Sequence, residues 1–170
     1  MINLLILYEL NRTPLTMYGI SKQIKDSFSV LLKLSMGTLQ PALKVLEKRG
    51  YVNSQKYMSS GGRPSICYAI TDKGKKYLND EMLSAFTDNP VQFLVEARIR
   101  LCCAEILSKD DYRSLLKLLQ RRTESLMLEA GRIEKSEYTS NYNRMIFDNL
   151  ACEYRNFLSL LEGLEHACNS

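Results

Sequence analysis

The stretch Ser35-Met-Gly-Thr-Leu-Gln-Pro-Ala-Leu-Lys-Val-Leu-Glu-Lys-Arg-Gly-Tyr51 decides how the chain reads. Leu39, Leu43 and Leu46 recur at intervals of four and three, which places them on one face of a helix. Lys44, Lys48 and Arg49 lie off that face, and Gly50 stands where a left-handed cap closes a helix. The front is built from small, polar or compact residues: Ser35, Gly37, Thr38, Gln40 and Pro41. Such a tip suits contact with a ligand better than burial in a core. Proline lacks an amide proton, so it fits a first turn and forfeits a bond deeper inside. With Thr38 as the cap, Pro41 loses nothing; with Ser35 as the cap, the bond to Gly37 is forfeited. We favour a loose first turn starting near Ser35, and either start leaves the amides of Gly37 to Gln40 pointing outward, where they suit a phosphate.

Working outward from this helix, two further helices precede it. Ile2, Leu5, Ile6 and Leu10 form amphipathic turns that stop before Asn11 and Pro14. Thr16 can cap a second helix, with Ile20 and Ile24 inward and Lys22, Gln23 and Lys25 outward. Phe28 to Leu34 is apolar and β-prone, and reads as a short strand or an extended connection. Three short helices closed by a basic one outline a helix-turn-helix. After the helix, Tyr51–Tyr57 and Ile66–Ile70 read as strands joined through Ser59-Ser-Gly-Gly-Arg-Pro64, a β-hairpin with Arg63 at its tip. A helix-turn-helix followed by such a hairpin is a winged helix. Thr71-Asp72 then caps a helix running through Tyr77, Leu78, Met82 and Phe86.

Thr87-Asp-Asn-Pro90 breaks the pattern, and the expected domains are therefore a winged helix over 1–86 and an all-helical domain over 87–170. The expected fold class is mainly α with a small β-hairpin. In the second half, a helix from Val91 to Leu107 turns Val91, Leu94, Val95 and Leu101 inward. Ser108-Lys-Asp-Asp111 opens the next helix, whose heptad-like series is Tyr112, Leu116, Leu119, Thr123, Leu126, Ala130 and Ile133. The final helix repeats the pattern with Ile146, Leu150, Glu153, Phe157, Leu160, Leu164 and Ala167. Stripes this long are expected to pair with a second copy of the chain, as in a coiled coil, with a closed monomeric bundle as the alternative.

Charge separates the two halves. Residues 1–85 carry 12 Lys and Arg against 6 Asp and Glu, and residues 86–170 carry 11 against 13, for a net +4. The positive potential belongs to the N-terminal half, which points to a polyanion; a basic surface kept for solubility is the bland alternative. The apolar N-terminus is short and interrupted by Glu9, unlike a signal peptide or a membrane span. Five cysteines without a C-x-x-C pair argue for reduced thiols in the cytoplasm.

The Ser35–Tyr51 run resembles the recognition-helix signature of PadR-like transcriptional regulators, Gly-Thr-Leu-Tyr-Pro-Ala-Leu-x-x-Leu-Glu-x-x-Gly. Gly61-Gly-Arg-Pro64, followed by Tyr68-Ala-Ile-Thr-Asp-Lys-Gly-Lys-Lys-Tyr-Leu78, is similar to the wing and next helix of the same family. The resemblance implies a cytoplasmic bacterial regulator, usually a repressor, that binds a palindromic operator as a homodimer. It also implies that in some members a small molecule at the dimer releases DNA. This chain departs at Gln40, where tyrosine is usual, and at Tyr18-Gly19-Ile20, where the second helix commonly begins Gly-Tyr.

Reading a groove needs donors and acceptors on a helix tip with cations nearby. The expected DNA-binding set is Lys22, Lys33, Ser35, Gly37, Thr38, Gln40, Pro41, Lys44 and Arg63. Gln40 matches adenine, Thr38 a base edge or thymine methyl, and Arg63 the neighbouring backbone or minor groove. The expected dimerisation set is Leu116, Leu119, Leu126, Ile133, Ile146, Leu150, Phe157, Leu160 and Leu164. Tyr112, Tyr142, Tyr154, Phe157, Met127 and Met145 read as core residues, or as the lining of an effector pocket between dimer helices. No cofactor or metal is expected: a single His166 supports neither a His-based metal cluster nor a catalytic triad, and no phosphate-binding glycine loop occurs. A winged-helix module that binds protein and does not read DNA is the competing class.

Overall fold

The computed structural model describes residues 1–58, 62 and 64–169, with the side chains of all but Tyr57 and Asn169. Two compact units divide the chain, Met1–Ile106 and Leu107–Ser170.

The first unit opens with α1 (Ile2–Arg12), whose Leu4 to Leu10 are all buried, followed by the short β1 (Leu15–Thr16). Helix α2 (Met17–Phe28) starts where expected: the Thr16 hydroxyl accepts the Gly19 amide at 3.0 Å, and Ile20 and Ile24 turn inward. Phe28 to Leu34 forms no strand. Phe28 ends α2 as a buried side chain, and the amides of Leu31 and Leu32 donate back to its carbonyl at 2.9 and 3.0 Å. Helix α3 (Met36–Lys48) is followed by β2 (Val52–Met58) and β3 (Pro64–Ile70). The hairpin strands pair antiparallel, Val52 opposite Ile70 and Met58 opposite Pro64. The expected two-stranded wing gains a third strand, because Leu15 and Thr16 pair with Tyr68 and Cys67, giving the order β1-β3-β2.

Helix α4 (Asp72–Leu83) begins at the Thr71 cap and ends earlier than its sequence pattern suggests. Its last carbonyls meet Arg100 of α5 (Pro90–Cys102), a guanidinium buried to 2% exposure. Arg100 donates to the carbonyls of Met82, Ser84 and Ala85, pairs with Glu96 at 2.5 Å, and lies 4.0 Å from the Phe86 ring centroid. A cation set against helix-end carbonyls offsets the negative end of α4 and satisfies groups that would otherwise be orphaned. Phe86 in turn meets Phe93 edge to face. The expected boundary between residues 86 and 87 therefore falls inside the first unit, which runs on through a 3-10 turn at Ala104–Ile106. Val91, expected inward, is 75% exposed; Phe93, Ala97, Ile99 and Arg100 are buried in its place.

The second unit is a pair of long helices, α6 (Lys109–Glu134) and α7 (Asn141–Asn169). Ser108 caps α6 by accepting the Asp111 amide at 3.1 Å. Leu116, Leu119, Thr123, Leu126 and Ala130 are buried, as their spacing predicts, and the polar Thr123 is reconciled by donating to the Leu119 carbonyl at 2.7 Å. On α7 the buried side chains are Ala151, Tyr154, Phe157 and Leu161. Among the described residues, no helix is long and apolar enough to cross a membrane.

Candidate nucleic-acid interface

Helix α3 has two unlike halves. Its C-terminal end is locked. Gly50 adopts φ +73°, the Tyr51 amide donates to Leu46 O, and the Gly50 amide donates to Glu47 O, both at 2.9 Å. These are the paired bonds of a helix closed by a left-handed glycine. The start of α4 then grips the closure. Thr71 donates its hydroxyl to Gly50 O at 2.7 Å and its amide to Tyr51 O at 3.0 Å, and Lys73 Nζ donates to Arg49 O at 2.9 Å. Tyr51 stacks on Tyr77 with ring centroids 4.3 Å apart. Gly74 lets the two backbones meet: a Cβ there would lie 2.1 Å from Tyr51 O. Burial together with the neighbouring Glu81 raises the Tyr77 hydroxyl above its ordinary pKa.

The front half faces solvent. Ser35, Gly37, Thr38, Gln40, Pro41 and Lys44 are all exposed, while Leu39, Ala42, Leu43 and Leu46 are buried on the opposite side. Ser35 is the cap: its hydroxyl accepts the Thr38 amide at 3.3 Å, and the Thr38 hydroxyl donates to Ser35 O at 2.9 Å. The favoured start near Ser35 is thus the one adopted, and Pro41 lies inside the helix. Because Pro41 has no amide proton, the exposed Gly37 carbonyl lacks its partner four residues on. The amides of Gly37 to Gln40 are not all free, however. Those of Thr38 and Leu39 are spent on Ser35, at 3.2 Å to its carbonyl in each case.

Lys22 is exposed on α2 and Lys33 is exposed just before α3. Lys33 lines a cavity of about 290 Å³ together with Lys25, Ser29, Leu32 and Leu34. Lys25 is a cation that the expected DNA-binding set omits, although its place three residues after Lys22 on the outward face of α2 was the available signal. Arg63, expected at the wing tip, lies outside the described residues.

The expected dimerisation residues divide. Leu116, Leu119, Leu126 and Phe157 are buried within the single chain, and Leu150 and Leu164 are half-buried. That share of the stripes is covered by the chain's own helices. Ile133, Ile146 and Leu160 stay exposed, at 38, 63 and 50%. Of the aromatic and methionine candidates, Tyr154 is buried like Phe157, and Tyr112 and Met127 are half-buried, whereas Tyr142 and Met145 are exposed. Cys102 is exposed and Cys103 buried, and burial raises the Cys103 thiol above its ordinary range. Among the described residues, no group of three or more His, Cys, Asp or Glu side chains could hold a metal ion.

With this geometry in place, comparison with known proteins is decisive for the family. The model of the transcriptional regulator PadR-like family matches residues 6–80, from α1 into α4. A PadR family transcription regulator from hypervirulent Clostridium difficile R20291 is 30% identical, covering 47% of this chain and 81% of its own, with a TM-score of 0.43. This chain belongs to the PadR-like family of transcriptional regulators. PadR of Bacillus subtilis, solved in complex with operator DNA, is 16% identical over 98% of both chains, with a TM-score of 0.49. Solved in complex with p-coumaric acid, the same protein aligns at 18% identity over 99% of this chain and 98% of its own, with a TM-score of 0.44. No curated protein sequence matches.

Proposed function

We propose that this PadR-like regulator binds double-stranded operator DNA as a homodimer in the cytoplasm, acting as a repressor at a palindromic site. Helix α3 enters the major groove; Thr38 and Gln40 read base edges, Lys44 meets a phosphate or guanine, and Ser35, Gly37 and Pro41 let the backbone approach closely. Lys22 and Lys33 hold flanking phosphates, and Arg63 reaches the adjacent backbone or minor groove. Residues 1–86 contain the DNA-binding machinery. The helices beyond residue 86 carry dimerisation, with Ile133, Ile146 and Leu160 among the exposed apolar side chains that a partner would cover. A small-molecule effector at the dimer interface fits the same scheme.

The observation that carries this proposal is the division of α3: Leu39, Ala42, Leu43 and Leu46 are buried on one side, while Ser35, Gly37, Thr38, Gln40, Pro41 and Lys44, with Met36 beside them, are exposed on the other. The winged-helix architecture and the surplus of +6 in residues 1–85 support it. The test is fluorescence anisotropy with the DNA upstream of the protein's own coding sequence, across a range of salt concentrations. Binding is expected to weaken steeply as salt rises, with a slope that reports the phosphates neutralised. Arg63→Ala is expected to weaken binding to all sequences alike, and Gln40→Ala to relax sequence preference. Salt-independent binding, or binding retained by a fragment carrying only the C-terminal helices, would favour the protein-interaction module.

A further inference from the structure

Among the described residues, two buried side-chain polar atoms have no hydrogen-bond partner, Arg100 Nε and Glu9 Oε1. The first is trivial, since the remaining nitrogens of Arg100 are fully engaged. Glu9 is different. Its side chain is 2% exposed, on a helix whose neighbours are leucines, and a carboxylate is among the groups least often left buried and unpaired. The adjacent Tyr8 hydroxyl does not help it, because Tyr8 donates to Glu105 at 2.9 Å.

Glu9 also lines a cavity of about 310 Å³, with Arg12, Thr13, Leu15 and Gln23 completing the wall. That size lies at the lower end of small-molecule sites. The lining is ordered by chemistry. Glu9 is buried, Arg12, Thr13 and Gln23 are exposed, and Leu15, at the start of β1, is half-buried. Arg12 follows Glu9 by one helical turn on the same side of α1, yet Glu9 Oε1 takes no bond from it. The cavity thus has a buried, unpaired acceptor just behind its inner wall, cationic and amide donors at its rim, and an apolar side.

We propose that this cavity binds a small amino-carboxylate, in the simplest case a free α-amino acid. Its ammonium group lies against Glu9, its carboxylate against Arg12 and Gln23, and its side chain over Leu15. The terminal torsion of a glutamate is soft, so the carboxylate turns toward the ammonium at little cost. The occupant supplies a positive donor for the buried acceptor and a second anion for the Arg12 guanidinium, whose charge already acts on Glu9. Burial raises the Glu9 carboxyl above its ordinary range, with Glu105 adding to the rise and Arg12 opposing it. An ammonium beside it reverses that rise. The site stands independently of the DNA reading, since it needs only the α1–α2 face of the first unit.

The test is two-dimensional NMR with calorimetry on the full chain, adding each of the twenty standard amino acids singly, with acetate and methylamine as single-charge controls. At least one amino acid is expected to bind saturably and to shift the Gln23 side-chain amide and the Thr13 backbone amide. The single-charge controls are expected to bind at least about tenfold more weakly. Glu9→Gln and Arg12→Gln should each weaken binding by about tenfold or more while the spectra stay dispersed. Gln23→Ala, at the exposed rim, keeps the test decisive if Glu9→Gln does not fold. Absence of saturable shifts with every amino acid overturns the proposal. So does binding that Arg12→Gln and Gln23→Ala leave unchanged.

Discussion

The two ends of α3 are built from the same short run of sequence and behave as opposites. The C-terminal end is fixed by a left-handed glycine, a stacked tyrosine pair, and hydrogen bonds from Thr71 and Lys73 on the segment that follows the hairpin. The N-terminal end is exposed, closed by one serine cap, and interrupted by a proline. Stability and recognition are thus placed on different residues of one helix. The seat can be rigid without constraining the chemistry of the tip, and the tip can vary without unseating the helix.

The comparison is most easily broken at Gly74. A methyl group there would lie 2.1 Å from Tyr51 O and 2.8 Å from Ile70 Cγ1, so backbone must move to admit it. Gly74→Ala is expected to cost about 3 kcal/mol, at the upper end of overpacking penalties, read as a lowered midpoint in urea unfolding. Gly50→Ala is the next largest. Nothing crowds the added methyl group, so its cost is the left-handed backbone alone, about 1–2 kcal/mol by the same measurement. Pro41→Ala should act in the other direction at the opposite end. It restores an amide donor for the Gly37 carbonyl and should stabilise the protein by about 1 kcal/mol, a part of the interior-proline penalty. If Pro41→Ala were destabilising, the proline would belong to the seat and not to the tip.

Much of this division is legible in the sequence. The leucine spacing gives the buried side of α3, Gly50 its closure, and Thr16, Thr71 and Ser108 the starts of three other helices. What escapes is long-range in origin. Leu15-Thr16 is too short to read as a strand and is one only because Tyr68 and Cys67 lie opposite. The apolar run from Phe28 to Leu34 looks like a strand, yet its turn is set by bonds returning to Phe28. Arg100 falls outside the inward series Val91, Leu94, Val95 and Leu101; its burial follows from the carbonyls that end α4, which no local pattern displays.

The last helix shows a subtler failure. The predicted series Ile146, Leu150, Glu153, Phe157, Leu160, Leu164 and Ala167 divides: Phe157 is buried and Leu150 and Leu164 are half-buried, whereas Ile146, Glu153, Leu160 and Ala167 are exposed and Ala151, Tyr154 and Leu161 are buried beside them. An ideal α-helix drifts against a strict seven-residue repeat, and two adjacent apolar stripes leave the choice of face to packing. At the tip of α3 the polar and compact residues expected to be outward are all exposed, but the exposed Met36 lies outside the expected set, and the number of free amides at the helix start is smaller than expected.

The central claim, that the tip recognises while the seat supports, is tested most directly by measuring unfolding midpoint and affinity for the upstream DNA fragment together on Gln40→Ala and Lys44→Ala. Both side chains are exposed, so each variant is expected to unfold within about 0.5 kcal/mol of wild type. Gln40→Ala should lose about 1–3 kcal/mol of discrimination between matched and mismatched fragments, and Lys44→Ala should bind more weakly with a shallower salt dependence. Two variants that keep wild-type affinity, discrimination and salt dependence would contradict the account.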